Sequence, residues 1–185
     1  MQTFPPLENL GRRIVIMGPT NSGKSTLAVA LGKKLDIPAV HLDQLRHLPH
    51  TNWEQRPDAE FAALHDEAIM TPAWVMDGGY SKLAPQRFER ATAIVVVTDN
   101  LVTRYRRYFR RSLFQKVRAG ALDGGQDGVR WEMVSWLWKT RNSARKYRDV
   151  ARRTGLPHVF VNGGRELNRL YAAWNLEPVH RTANL

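Results

Sequence analysis

A short apolar run, Ile14-Val-Ile-Met17, stops at Gly18, which opens the octet Gly-Pro-Thr-Asn-Ser-Gly-Lys-Ser over Gly18–Ser25. Beyond it, Leu27, Ala30, Leu31 and Leu35 recur at helical spacing. Strand, glycine loop and helix in this order form the arrangement in which successive backbone N–H groups wrap a polyphosphate at a helix N-terminus. Gly18 and Gly23 admit backbone angles closed to other residues, Lys24 has the reach for β- and γ-phosphates, and Ser25 offers a hydroxyl to Mg²⁺. The pattern predicts that the chain binds a nucleoside triphosphate. The expected contact set is Gly18, Pro19, Thr20, Asn21, Ser22, Gly23, Lys24, Ser25 and Thr26.

Four further short apolar runs rich in Val or Ile follow the same logic: Ala39–Leu42, Trp74–Met76, Ala93–Thr98 and Val159–Val161. Between them lie segments of helical period, such as Asp58–Ile69, where Phe61, Leu64, Ala68 and Ile69 share a face. Pro57 suits that helix's first turn, and Thr71-Pro72 ends it. Continuous apolar strands alternating with helices predict an α/β fold of three layers, with about five parallel strands covered on both faces. At 185 residues the chain is long enough for one such domain, expected to span residues 1–185. Ala119–Gly128, rich in glycine, reads as the flexible part of a short lid at about residues 112–132.

Charge is concentrated. Residues 104–153 hold 15 Lys and Arg against four Asp and Glu, which accounts for the whole formal net charge of +11. Such a block expects an anionic partner: the nucleotide itself, a phosphorylated acceptor or a nucleic-acid backbone. The sequence has no cysteine, which excludes disulfides and Cys-ligated zinc and fits a cytoplasmic protein. Apolar runs such as Ala93–Val97 fall far short of a membrane span, and Met1–Leu10 lacks the basic and apolar regions of a signal peptide. His47 and His50 are separated by Leu-Pro, which breaks any helix aiming both at a metal, and read as loop histidines.

Ligands of an open parallel sheet sit beyond the carboxyl ends of its strands. Asp43 and Asp77 follow the second and third strands, where a carboxylate holds Mg²⁺ or accepts a hydroxyl proton, or else merely caps a helix or turn. Asp99 reads as the cap of the helix that follows it. On that helix Arg104, Arg107 and Arg111 share one face and Arg106 and Arg110 another. Leu101, Tyr105, Tyr108 and Phe109 form an apolar stripe. A second basic helix is expected over Lys139–Arg153, carrying Arg141, Arg145 and Arg148. Two arginine helices flanking a glycine hinge suit a lid that closes on phosphates, the alternative being a solvated basic face. Trp131, Trp136 and Trp138 among Met133, Val134 and Leu137 read as core, with base stacking as the alternative.

The loop GPTNSGKST, the strand ends HLDQL and WVMDGGYS, the AIVVVTD strand with its arginine helix, the WLWKTR helix and the closing HVFVNGGREL together resemble small P-loop kinases of the adenylate-kinase-related group. They resemble most the bacterial proteins named for DNA topology modulation, from about Arg12 to Trp174. The resemblance implies a sheet-centred kinase fold with Asp43 near the acceptor, and Asp77 with Ser25 on the Mg²⁺ side. It implies lid arginines, Arg104, Arg107 and Arg111 with Arg141 and Arg145, clamping the transferring phosphoryl group, and adenine lying over Asn162-Gly163-Gly164. The chain departs from the group in its longer, polar Leu45–Trp53 segment and in Gly79, where many relatives carry Asn. It also lacks the Pro-Arg that adenylate kinases place after Asp-Gly-Phe. Arg87 stands either as a substitute phosphate contact or as a surface residue, and AMP is not the expected acceptor.

The expected activity is therefore Mg²⁺- and ATP-dependent transfer of the γ-phosphoryl group to a small molecule. Lys24 and the loop amides would hold the phosphates, and Asp43 would orient or deprotonate the acceptor. The rivals are an ATP-regulated nucleic-acid-binding protein and a plain ATPase.

Overall fold

The structure, a computed structural model, describes residues 3–51, 53–114 and 131–178, without the side chains of residues 111–114, 132 and 136. The Gly-rich stretch and most of the expected lid lie outside the described residues.

Five strands form one sheet: β1 (Arg13–Met17), β2 (Ala39–His41), β3 (Trp74–Asp77), β4 (Ala93–Thr98) and β5 (His158–Asn162). Their order is β2-β3-β1-β4-β5 and every pairing is parallel, as the sequence predicts. The helices are α1 (Lys24–Leu35), α2 (Leu42–Arg46), α3 (Asp58–Met70), α4 (Ala84–Arg90), α5 (Leu101–Phe114), α6 (Trp131–Lys139), α7 (Ser143–Arg153) and α8 (Gly163–Ala173).

The continuous apolar runs have the cause expected of them. Because successive side chains point to opposite faces, a strand buried on both sides cannot afford polar positions. In β1, Ile14 and Ile16 pack with Leu27 and Leu31 of α1 and Leu170 of α8. Val15 and Met17 face the other way, with Ile69 of α3 and Ala151 of α7. All six residues of β4 are buried. Strand β1 is thus central, and its C-terminal end, where the glycine loop begins, lies between β3 and β4. Among the described residues no helix is long and apolar enough to cross a membrane.

Three local expectations are corrected. Pro57 precedes α3 as its cap rather than lying in the first turn. The helix expected over Lys139–Arg153 begins only at Ser143, because a turn at Thr140–Asn142 separates α6 from α7. There the Thr140 carbonyl accepts the Ser143 hydroxyl at 2.7 Å and the Arg104 guanidinium at 3.4 Å. The cap of α5 is Asn100, whose Oδ1 accepts the Thr103 N–H at 2.8 Å. Asp99 instead lies buried beside Arg107, 2.9 Å from its Nη1.

Candidate active site

The glycine loop starts where β1 runs out against β4. Gly18 has φ of +146°, and a Cβ built there would lie 1.9 Å from the Val97 carbonyl oxygen. Only glycine fits. Asn21 (φ +63°) and Gly23 (φ +102°) also sit in the left-handed region, and Gly23 then caps α1.

Two arginines from α5 hold the loop's carbonyls. Arg104 Nε donates to Thr20 O at 2.9 Å, and Arg107 Nη1 donates to Ser22 O at 3.1 Å and more weakly to Asn21 O. A trans peptide points its N–H opposite to its C=O. The amides of Asn21, Ser22 and Gly23 therefore turn away from the arginines, as an anion cradle requires. The loop also keeps polar atoms unpaired: Asn21 Nδ2 and Ser22 Oγ are buried with no hydrogen-bond partner among the described residues. Unsatisfied buried donors are costly, and concentrating them in one loop marks a place built for a polar ligand. Lys24 Nζ donates to the Pro19 carbonyl at 2.9 Å, folded along the loop it is expected to serve.

Arg104 is corrected by this geometry. The resemblance implies a clamp on the transferring group, but Arg104 is 0% exposed and divides its donors between Thr20 and both oxygens of Thr140. Burial also lowers its pKa. It is a brace between the loop and the α6–α7 turn. Arg107 keeps about a third of its side chain exposed, and its guanidinium lies close to Gly23 and Gly164. Arg141 stacks over the Trp138 ring at 4.6 Å, whereas Arg145 points into solvent. The Arg111 side chain is outside the described residues.

Beside the loop lies a carboxylate. Asp77 ends β3 and is buried, and its Oδ2 accepts the Ser25 hydroxyl at 2.7 Å. Its Oδ1 meets His41 Nδ1, because the parallel register of β2 and β3 sets His41 opposite Asp77. A hydroxyl and a carboxylate oxygen this close, at a helix start, are hard donors of the kind Mg²⁺ takes alongside nucleotide phosphates. Ser25 and Asp77 thus fit that ion. Among the described residues no group of three or more His, Asp or Glu side chains forms a protein-only metal centre. His47 Nδ1 bonds the Asp43 carbonyl, and its ring meets Trp53 edge-on.

Asp43 lies in the first turn of α2, and its Oδ1 accepts the Tyr80 hydroxyl at 2.6 Å. Burial, with help from the Asp43 charge, pushes the Tyr80 pKa upward, so Tyr80 stays a donor. Tyr80 itself sits at φ +43°, on the turn opened by Gly78, whose missing Cβ makes room for Leu42. Two loops at adjacent strand ends are therefore tied together by the Asp43–Tyr80 bond.

Arg87 fits neither of its sequence alternatives. It is 1% exposed, donates to Gly79 O at 2.7 Å and bonds His65 Nε2 at 3.2 Å. Burial pulls its guanidinium down to about 10. It holds the Gly78-Gly79 turn from below. Truncation by Arg87→Ala leaves a cavity and two unsatisfied acceptors, with an expected cost of about 2–4 kcal/mol. Thermal melting should register roughly 5–10 °C of lost Tm.

Burial also lowers the pKa of His65, which is fully buried on α3 against Arg87. Its folded value falls below the ordinary 6.5, so the unfolded chain takes the proton first, and stability drops as pH falls below about 6.5. A Tm measured from pH 7.5 to 5.5 should decline, and His65→Gln should flatten that slope. An unchanged slope would show that His65 is not responsible.

His41, Tyr80 and Arg87's role escaped the sequence reading. His41 carried one usable signal, its place just before Leu42-Asp43 at a strand end. Its partner is set by register, which the sequence does not display.

No curated protein matches the chain. A solved shikimate kinase from Bacteroides thetaiotaomicron superposes with a TM-score of 0.51 at 20% identity, over 89% of this chain and 99% of that one. The structure of TT1252 from Thermus thermophilus gives a TM-score of 0.48 at 19% identity, over 86% and 95%. The first likeness establishes a shared fold. The sequence itself matches the model of the AAA domain over residues 14–116, more than half its length, and the chain belongs to that family.

Proposed function

We propose that the protein is an ATP-dependent phosphotransferase acting on the hydroxyl of a small molecule. What carries the proposal is the Ser25 hydroxyl held 2.7 Å from the buried Asp77 carboxylate, at the mouth of a loop that only glycine can open. That pairing of oxygen donors beside a phosphate cradle suits a nucleotide triphosphate and its cation.

In this reading the amides of the loop and Lys24 bind the β- and γ-phosphates. Ser25 and Asp77 would hold Mg²⁺, which neutralises phosphate charge when bound. Arg107, with Gly23 and Gly164 beside it, borders the nucleotide. Arg141 stands at the turn that Arg104 ties to the loop and supplies a further cation on closure. Asp43, oriented by Tyr80, accepts the acceptor's proton. The acceptor O–H bond breaks as its oxygen bonds the γ-phosphorus, and ADP leaves with the electrons of the old P–O bond. Shared features with DNA topology modulation proteins support the group assignment, and the polar Leu45–Trp53 segment supports an acceptor other than AMP.

The test is acceptor-dependent ATP consumption across nucleosides, nucleotides, sugars and cofactor precursors, with Mg²⁺. One class should stimulate ADP formation. Asp43→Asn should cut that stimulated rate by about 10²–10⁴ while ATP still raises Tm. ATP consumption indifferent to every acceptor would replace the proposal with a plain ATPase.

A further inference from the structure

One face of α7 carries Arg145, Arg148 and Arg152 at intervals of three and four residues, and with Arg141 they line a groove of about 590 Å³. At 1.5 Å per residue, the first and last of the three helical arginines stand about 10 Å apart along the axis. The groove's one carboxylate, Asp149, is divided between Arg145 at 3.9 Å and Arg152 at 3.5 Å. Such exposed pairs contribute little and leave the face strongly positive. The guanidinium carbons of Arg148 and Arg152 lie 6.0 and 5.2 Å from the ring centroid of Phe160 on the edge strand β5, and Arg148 also donates to Asn162 Oδ1.

An exposed indole adjoins the groove's Arg141. Trp138 is 56% exposed and lies under Arg141, and Trp131, seven residues earlier on the same face of α6, is 77% exposed. The sequence reading places these rings in the core. The structure assigns that place to Leu137 and leaves both indoles in water.

We infer that this groove binds single-stranded nucleic acid, with phosphates along Arg145, Arg148 and Arg152 and a base stacked at Trp138. A row of cations spread along a helix calls for an extended polyanion, not one phosphate. A duplex answers the arginines but keeps its bases stacked on each other, and polyphosphate has no bases. An unpaired strand supplies both the charges and a ring for the exposed indole. Arg141 is shared with the proposed phosphotransferase, but Arg145, Arg148, Arg152 and Trp138 play no part in that reading.

Fluorescence anisotropy of labelled 20-nucleotide single strands, DNA and RNA, and of the matching duplex tests it on the full chain. Three neutralised phosphates at about −0.7 each give a log–log salt slope near −2, or about fifteenfold weakening from 50 to 200 mM salt. Arg145→Glu with Arg152→Glu should weaken binding more than tenfold and at least halve the slope. Trp138→Ala should weaken it at least about fivefold with the slope unchanged. Arg152→Glu alone should keep the thermal shift given by an ATP analogue, which separates this site from the nucleotide site. Duplex binding as tight as single-strand binding, no binding at 50 mM salt, or binding indifferent to Trp138→Ala would each overturn the inference. The last needs no charge-reversed variant to fold.

Discussion

Lys24→Ala is expected to lower acceptor-dependent turnover by at least about a hundredfold, and more if Lys24 stabilises charge only in the transition state. The reason is positional. Lys24 is the first residue of α1, and its ammonium already lies over the loop at the Pro19 carbonyl. Phosphoryl transfer needs little covalent help from a protein, so most of its catalysis is charge held in place. Alanine is a better helix former than lysine at this half-buried start, so α1 should persist. Circular dichroism and Tm in the absence of nucleotide should therefore match the parent within a degree or two. The thermal shift produced by ATP with Mg²⁺ should shrink or vanish. Lys24→Arg keeps the charge but spreads it over a planar fork, and should recover only part of the loss. A Lys24→Ala enzyme of parental turnover would remove the phosphotransferase reading.

Much of this site could be read before any coordinates. The glycine loop announces itself because its backbone conformation restricts residue type at fixed positions. The strands announce themselves because a sheet buried on both faces needs unbroken apolar runs. What stayed hidden depends on which segments meet. Helical periodicity put Arg104 and Arg107 on one face, but not whether that face meets solvent, a phosphate or the loop's own carbonyls. In the fold, α5 runs past the loop, so Arg104 is wholly buried on Thr20 and Thr140.

Similarly, Asp99 and Asn100 are equally good caps by type, and only the position of Arg107 decides that Asp99 turns inward. The sequence placed the tryptophans of α6 in the core because Met133, Val134 and Leu137 accompany them. Among the described side chains of α6 only Leu137 is buried. The His41–Asp77 and His65–Arg87 contacts join residues more than 20 apart in sequence, through strand register and helix packing.

Gly18→Ala should be the most damaging single-methyl change at the site, and the comparison with Gly79→Ala makes it decisive. At Gly18 the new Cβ would lie 1.9 Å from the Val97 carbonyl oxygen and 3.0 Å from its carbon, both backbone atoms of a strand buried along its whole length. Backbone in a central strand cannot swing aside as a side chain can, and φ of +146° strains any L-residue as well. Either the β1–β4 pairing opens or the loop is rebuilt, at a cost of roughly 3–5 kcal/mol. That corresponds to about 10–15 °C in Tm, with loss of the nucleotide-induced shift in whatever remains folded.

At Gly79, by contrast, a Cβ meets nothing within 4 Å. Gly79→Ala should leave Tm within about a degree, and Gly79→Asn should likewise be tolerated in folding. The Gly79 carbonyl that Arg87 holds is untouched by either change. If Gly18→Ala melts like the parent and keeps its ATP-induced shift, β1 does not end against Val97 in solution. The cradle would then have to be built from another conformation of the same eight residues.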